Sequence, residues 1–353
     1  MNSNKFHTTG IRLLAALALT VITIACATSF SCHLSPEGIT VLGGSYDCPK
    51  LVDFSIEGKN ELKMTFSQEI SFSEIRICDS ETTPEEFAGI VSLPDATSVT
   101  ATENGNVSYD MTFNEGFDCG TIYKLYAVVE DTYGNSLSFS SDFCGYNDNL
   151  PHIALSEVRT EYSKPKPEYI ELYILGDGNL GGMLMEVFYS SKKTCFTFPP
   201  VDVHQGDYIV LHMRTVEAGS IDETDDTALS TAADSCPQAR DFWVPSDTKT
   251  LGKTGVIILR ERENGPLVDA LLFAESSKTS WPNESMKTAA RNAHLSGIWT
   301  DGEDPSDAVC SDKCTGTRTL SRQNFSAEGA SSWIVVATSS ATPGAENSSR
   351  PAQ

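Results

Sequence analysis

The chain has 353 residues, enough for about two domains. It carries 48 acidic against 25 basic side chains, a formal charge of −23, which argues against a sequence-independent nucleic-acid binder, because such a protein needs a basic face to displace counterions from phosphate. The 40% of apolar residues is enough for a core and excludes whole-chain disorder, and Cys 10 points away from a reducing cytosol.

Lys5 and Arg12 are the only charged residues before position 37. An apolar run from Ile11 to Ala25 follows the basic start, too short for a membrane span and ordered like a secretory signal. Thr23-Ile24-Ala25-Cys26 and Ser29-Phe30-Ser31-Cys32 each resemble a bacterial lipobox, with a small residue directly before a cysteine. Ala25-Cys26-Ala27 also fits ordinary signal-peptidase cleavage. If Cys32 is the lipidated residue, Cys48, Cys78, Cys119, Cys144, Cys195, Cys236, Cys310 and Cys314 remain and all can pair; if it is Cys26, one cysteine is left over. Parity favours Cys32, whereas Ala25 and the shorter apolar core favour Cys26. The expectation is a lipoprotein-type signal peptide over 1–31, lipidation at Cys32 with Cys26 as the alternative, and a tether over 32–46. Two or more acyl chains, at about 0.8 kcal/mol per buried CH₂, hold a protein stably on a bilayer. That places the chain outside the cytoplasm on a bacterial membrane, periplasmic or at the cell surface. Cleavage removes two bases and no acid, so the mature surface is still more acidic and is repelled by anionic head groups.

Strand-type segments then alternate with turn signals over 47–147: Leu51–Ile56, Leu62–Phe66, Ile75–Cys78, Val107–Phe113, Tyr123–Val129 and Leu137–Phe143. Short strands without a helical stretch predict a β-sandwich. Asp131-Thr132-Tyr133-Gly134-Asn135 joins the last two as a hairpin, with Gly134 and Asn135 supplying positive φ. Cys119 and Cys144 lie near-opposite at its far ends; a bridge there would contribute roughly 3–4 kcal/mol in the chain-entropy model, leaving Cys48 with Cys78. Val52-Asp53-Phe54-Ser55, Met64-Thr65-Phe66-Ser67 and Tyr126–Asn135 resemble the bacterial Ig-like modules of extracellular proteins, a resemblance that implies a spacer or adhesion unit.

Asn147-Asp148-Asn149-Leu150-Pro151 reads as a linker. Beyond it, Ile153-Ala154-Leu155-Ser156-Glu157-Val158, Pro167-Glu168-Tyr169-Ile170-Glu171-Leu172-Tyr173, Gly181, Phe196–Pro199 and Gly206–Leu211 resemble a lamin-tail domain. So do Thr317–Arg322, Trp333 and Thr342-Pro343-Gly344-Ala345-Glu346-Asn347 near the end. The resemblance implies a second Ig-like β-sandwich over 150–347, with insertions, and a tail over 348–353. The residues agree: Tyr169–Tyr173, Asp207–Leu211, Val256–Leu259 and Leu267–Phe273 are strand-like, and Glu263-Asn264-Gly265 is a hairpin signal. Met286, Ala289, Ala290 and Ala293 recur at helical spacing within Ser280–Ser296, with Pro282 in the first turn and Gly297 as the cap. The fold class expected is all-β, two tandem Ig-like sandwiches, the second with one inserted helix. Gly219–Asp241, rich in acids, Thr and Ala, reads as a surface excursion that Cys195 and Cys236 could staple to a strand; Cys310 and Cys314 could close a small loop or pair elsewhere.

Candidate chemistry is sparse. His7, His33, His152, His204, His212 and His294 sit in no metal-ligand motif, and Cys310 with Cys314 lacks nearby partners for zinc. Glu157, Glu168 and Glu171 form a candidate cation site or polar network. Asp222-Glu223-Thr224-Asp225-Asp226 lacks calcium-loop spacing and reads as a solvated loop, as does the basic Lys164-Pro165-Lys166-Pro167. No G-x-S-x-G, P-loop, H-E-x-x-H or dinucleotide fingerprint occurs. The expectation is therefore no catalytic residue, no metal and no cofactor. Expected partners are a membrane through the N-terminal lipid and a protein or host ligand, with no nucleic acid; the function is adhesion, ligand contact or envelope scaffolding. The alternative is an extracellular hydrolase of nuclease or phosphoesterase type, or its accessory module, since lamin-tail domains resemble modules attached to such enzymes.

Overall fold

The computed structural model describes residues 47–79, 82, 92, 94–101 and 104–353. The expected signal peptide, tether and lipidation residues Cys26 and Cys32 lie outside the described residues, as do His7 and His33. Residues 47–353 form one compact unit, and its fold is all-β with one α-helix.

The first seven strands are β1 (Leu51–Gly58), β2 (Glu61–Phe66), β3 (Ile70–Asp79), β4 (Ala96–Ala101), β5 (Val107–Thr112), β6 (Ile122–Asp131) and β7 (Ser136–Cys144). They make a four-stranded sheet in the order β1-β2-β5-β4 and a three-stranded sheet in the order β3-β6-β7. Alternation decides which side chains meet. Leu62, Met64 and Phe66 of β2, Tyr109 and Met111 of β5, Ile75 of β3 and Leu125 and Val129 of β6 form one buried cluster. Edge-on ring contacts such as Phe66 with Phe139 and Phe117 with Phe143 tighten it. The β6–β7 turn departs from expectation in detail: Gly134 alone takes positive φ, at 86°. The Asp131 carboxylate organises the loop instead, accepting the N–H groups of Tyr133 and Asn135 at 2.8 and 2.9 Å.

The second region holds β8 (His152–Arg159), β9 (Tyr169–Gly176), β10 (Gly178–Asn179), β11 (Leu184–Tyr189), β12 (Lys192–Thr197), β13 (Asp202–Val203), β14 (Tyr208–His212) and β15 (Arg240–Trp243). It continues with β16 (Gly255–Arg260), β17 (Leu267–Ala274), α1 (Glu284–Leu295), β18 (Val309–Cys310), β19 (Leu320–Arg322) and β20 (Trp333–Val335). A six-stranded sheet, β15-β14-β9-β8-β19-β20, faces a five-stranded sheet, β12-β11-β16-β17-β18. Between them lies the larger core, with Leu155, Ile170, Leu172, Ile209, Leu211, Ile257, Leu259 and Leu271 all at or near zero exposure. Arg322 crosses from one sheet to the other, donating to Asp269 Oδ2 at 2.5 Å; that oxygen also accepts the Leu155 N–H at 2.8 Å. Burial raises the Asp269 pKa and the Arg322 charge pulls it back.

The inserted helix α1 begins later than the sequence implies. The Asn283 side chain accepts the Met286 N–H at 2.9 Å and caps the helix, leaving Pro282 just outside. Met286, Ala289, Ala290 and Ala293 are its buried stripe, as their spacing requires, and Gly297 follows the C-terminus at φ 77°.

At the junction of the two regions Asn147 Nδ2 donates to the carbonyls of Asn179 and Gly181 at 2.7 and 2.9 Å, and Arg262 lies over the Tyr146 ring at 5.4 Å. Gly145 is required there by close approach, because a Cβ would stand 1.9 Å from the Asp118 carbonyl oxygen.

Candidate functional site

The outer face of the six-stranded sheet carries the polar residues that alternation turns away from the core. On β9, Ile170, Leu172 and Ile174 face the core, so Tyr169, Glu171 and Tyr173 face outward. On β14, Tyr208, Val210 and His212 share that face. A register shift between Leu155 and Glu157 on β8 places Glu157 directly opposite Glu171. Two chain segments then cover this face, the excursion ahead of β15 and the stretch after β20, so Glu157, Glu171, His212 and Asp241 are all buried.

Burial makes hydrogen bonding obligatory, and the chain supplies it locally. Glu157 accepts from the Thr319 and Tyr169 hydroxyls at 2.6 Å each and from the Thr342 N–H at 2.9 Å. Glu171 accepts the Gly344 N–H at 2.6 Å through Oε2, while Oε1 has no hydrogen-bond partner. Burial first, and then the neighbouring Glu157 charge, push the Glu171 carboxyl up to about 8, with the Gly344 N–H and the Ser156 hydroxyl pulling against them. Glu157 is raised by burial too, and its hydrogen bonds oppose that. The Tyr169 phenol rises well above its ordinary value, through burial and then the Glu157 charge.

The network continues sideways. The Arg159 guanidinium lies 4.5 Å from the Tyr169 ring centre, donates to the Pro167 carbonyl at 2.8 Å and pairs with Asp234. His212 stacks on Trp243 with centroids 3.8 Å apart, and its Nε2 is 2.9 Å from Asp241 Oδ1. Asp241 Oδ2 accepts the Cys236 N–H at 2.7 Å. Glu223 accepts the N–H groups of Ala228, Ser230 and Asp241 at 2.9, 3.0 and 2.9 Å. Glu223 therefore corrects the expectation of a solvated acidic loop: it is buried and ties the excursion to β15, while Asp225 and Asp226 do face solvent.

Of the three singled-out glutamates the structure brings two together. Glu168 stands apart, in a bidentate pair with Arg214 at 2.6 and 2.7 Å. His212, Asp234, Asp241 and Arg159 were not singled out as a group. Their sole signal was the period-two placement of His212 on a strand, because their partners lie far along the chain. Among the described residues no group of three or more His, Cys, Asp or Glu side chains is placed to hold a metal ion.

The eight described cysteines are free thiols in this structure. Cys119 and Cys144 meet at the junction beside adjacent glycines: a Cβ on Gly181 would lie 2.7 Å from Cys119 Sγ and one on Gly182 would lie 3.1 Å from Cys144 Sγ. Burial, then the Cys119 charge, push the Cys144 thiol up to about 11. Cys195 and Cys236 occupy different surroundings, Cys195 beside Lys193 and Glu186 on edge strand β12, and Cys236 with Sγ 3.2 Å from the Pro343 carbonyl. Cys314 is buried and its thiol is pushed up to about 12 by burial, while Cys310 is exposed.

A family model described as "TP_1001_2nd: protein second domain" matches residues 151–335, from the end of the linker through β20. The chain belongs to this family. A curated relative from Treponema pallidum (strain Nichols), described as "Uncharacterized protein", is 28% identical over 183 residues, 50% of this chain. The match covers 47% of that relative, so the chain spans about half the length of the curated relative it matches.

Proposed function

We propose that the protein is a non-catalytic contact module held outside the cytoplasm by a lipid on Cys32 or Cys26. In this reading 47–147 is an Ig-like sandwich serving as spacer, and 150–347 is a lamin-tail-like sandwich presenting the contact surface. One observation carries the reading. The groups best suited to acid–base chemistry, Glu157, Glu171, His212 and Asp241, are sealed under the chain's own loops and bonded to its own side chains and amides. A general base must come within hydrogen-bond reach of the proton it takes, directly or through one water. Paired with buried residues, these groups brace a sheet face that the excursion and the C-terminal stretch cover.

The test has two arms. Intact mass of the protein from membranes is expected to show a diacylglycerylated N-terminus at Cys32 or Cys26; an unmodified N-terminus, or recovery in the cytosol, overturns the anchor. Purified full-length protein is expected to show no turnover of phosphodiester, phosphomonoester, peptide or glycosidic substrates; steady turnover abolished by Glu171→Gln or His212→Gln overturns the non-catalytic reading.

A further inference from the structure

A cleft of about 580 Å³ opens beside the buried carboxylates, lined by Ser156, Tyr173, Tyr208, Phe325, Glu346 and Asn347 among others. Its wall is aromatic. Tyr173 lies 4.9 Å from Tyr208 and 5.2 Å from Phe325, ring centre to ring centre, and all three are half-buried.

The hydrogen-bonding inventory of the other lining groups is one-sided. Arg322 spends its donors on Asp269, on the Ala327 carbonyl at 3.1 Å and on the Asn324 carbonyl at 3.3 Å. Asn347 Nδ2 donates to the Arg322 carbonyl at 2.8 Å and to Ser156 at 3.1 Å. Gln323 Nε2 donates to the Ser348 carbonyl at 3.1 Å and to Ser321. The acceptors are left over: Asn347 Oδ1 is buried without a partner, and the Glu346 carboxylate stands exposed at the rim. The cleft thus presents aromatic faces, an unfilled acceptor and a negative charge, and its one guanidinium is neutralised by Asp269.

We propose that this cleft binds an organic ammonium group, held by cation–π contact with Tyr173 and Tyr208 and by the Glu346 carboxylate, while Phe325, which the Arg322 guanidinium already covers at 5.8 Å, backs the aromatic wall. An ammonium group matches the aromatic faces, the open Asn347 oxygen and the Glu346 carboxylate, whereas an anion would meet Glu346. The negative surroundings are also felt by Tyr208, whose phenol is pushed up to about 12 by burial and then by Glu171, Tyr173 and Glu346. This inference rests on the reading of the second region as a contact surface and names the chemistry of what it contacts.

The experiment is calorimetric titration of the full-length protein with four probes: choline, its neutral isostere 3,3-dimethylbutanol, N-acetyl-lysine methylamide and maltose. At least one ammonium probe is expected to bind roughly 10-fold tighter than the isostere, about 1.4 kcal/mol. A preference for the lysine derivative assigns a peptide ligand and a preference for choline a lipid or free headgroup; either supports the proposal. Tyr208→Ala is expected to weaken binding ~10-fold and Glu346→Gln ~3-fold, with Tyr208→Phe within about 2-fold of the parent. Isostere binding equal to choline, maltose binding without ammonium binding, variants indistinguishable from the parent, or no heat up to roughly 10 mM probe overturns it. Those results leave the non-catalytic reading standing, whereas substrate turnover overturns that reading and leaves cation binding untouched.

Discussion

On β6 and β7 the side chains turned away from the core, Lys124, Ser138 and Ser140 among them, meet solvent. On β8, β9 and β14 the side chains in the same relation to their core, Glu157, Glu171 and His212, are sealed. Both faces follow from the same alternation of inward and outward residues. They differ in what the chain does next. In the first region a tight turn at Asp131 joins β6 to β7, whereas the second sends a long excursion ahead of β15 and a C-terminal stretch back over its own sheet. Covering a polar face makes each unpaired donor or acceptor costly, so the second region concentrates ion pairs and carboxylate–amide bonds on a face that β6 and β7 leave open to solvent.

That contrast can be broken by substitution. The largest expected effect is at the buried ion pairs. Arg214→Met leaves Glu168 buried and unpaired and should cost about 3–5 kcal/mol, as should Arg322→Met for Asp269, read as a lowered urea midpoint. An unchanged midpoint would mean that solvent reaches these carboxylates. Next is Glu157→Leu, which strands the Thr319 and Tyr169 hydroxyls and the Thr342 N–H together; a loss of roughly 2–4 kcal/mol is expected from the same measurement.

The pH dependence sharpens the comparison further. Glu171 is held at about 8 in the folded chain against an ordinary value near 4.5. A carboxyl raised on folding contributes stability that is complete below its unfolded value and is lost as pH rises through the folded one. The protein should therefore be less stable at pH 9 than at pH 5 by on the order of 1–3 kcal/mol from this group, and Glu171→Gln should flatten that slope in a series of thermal melts. A slope unchanged in the variant would assign the pH dependence elsewhere. Smallest of all, Lys124→Ala and Ser140→Ala on the solvated face should stay within about 0.5 kcal/mol of the parent in urea.

The sequence made the regular parts of this molecule readable. Six of the first seven strands show in their own alternation, and the buried stripe of α1 shows in its alanine spacing. Strand β4 does not show, because all six residues of Ala96–Ala101 are exposed at a sheet edge and leave no apolar pattern. The acids were legible as residues, while their roles depended on register and closure. The shift between Leu155 and Glu157 sets Glu157 opposite Glu171, and no local signal announces it. Glu223 looks solvated within its acidic run until Asp241, eighteen positions later, offers its N–H. His212 likewise gains meaning from Asp241, Asp234 and Trp243, all brought in by the excursion.

The Thr342 and Gly344 amides reach back to carboxylates on β8 and β9, which lie at the opposite end of the second region's chain. A ribosome delivers those acids more than 170 residues before it delivers their latch. During synthesis the second region can build its strands but cannot close its polar face. Final maturation of that face is therefore an event of the fully emerged polypeptide, and a nascent chain halted before Thr342 should remain open to proteases there.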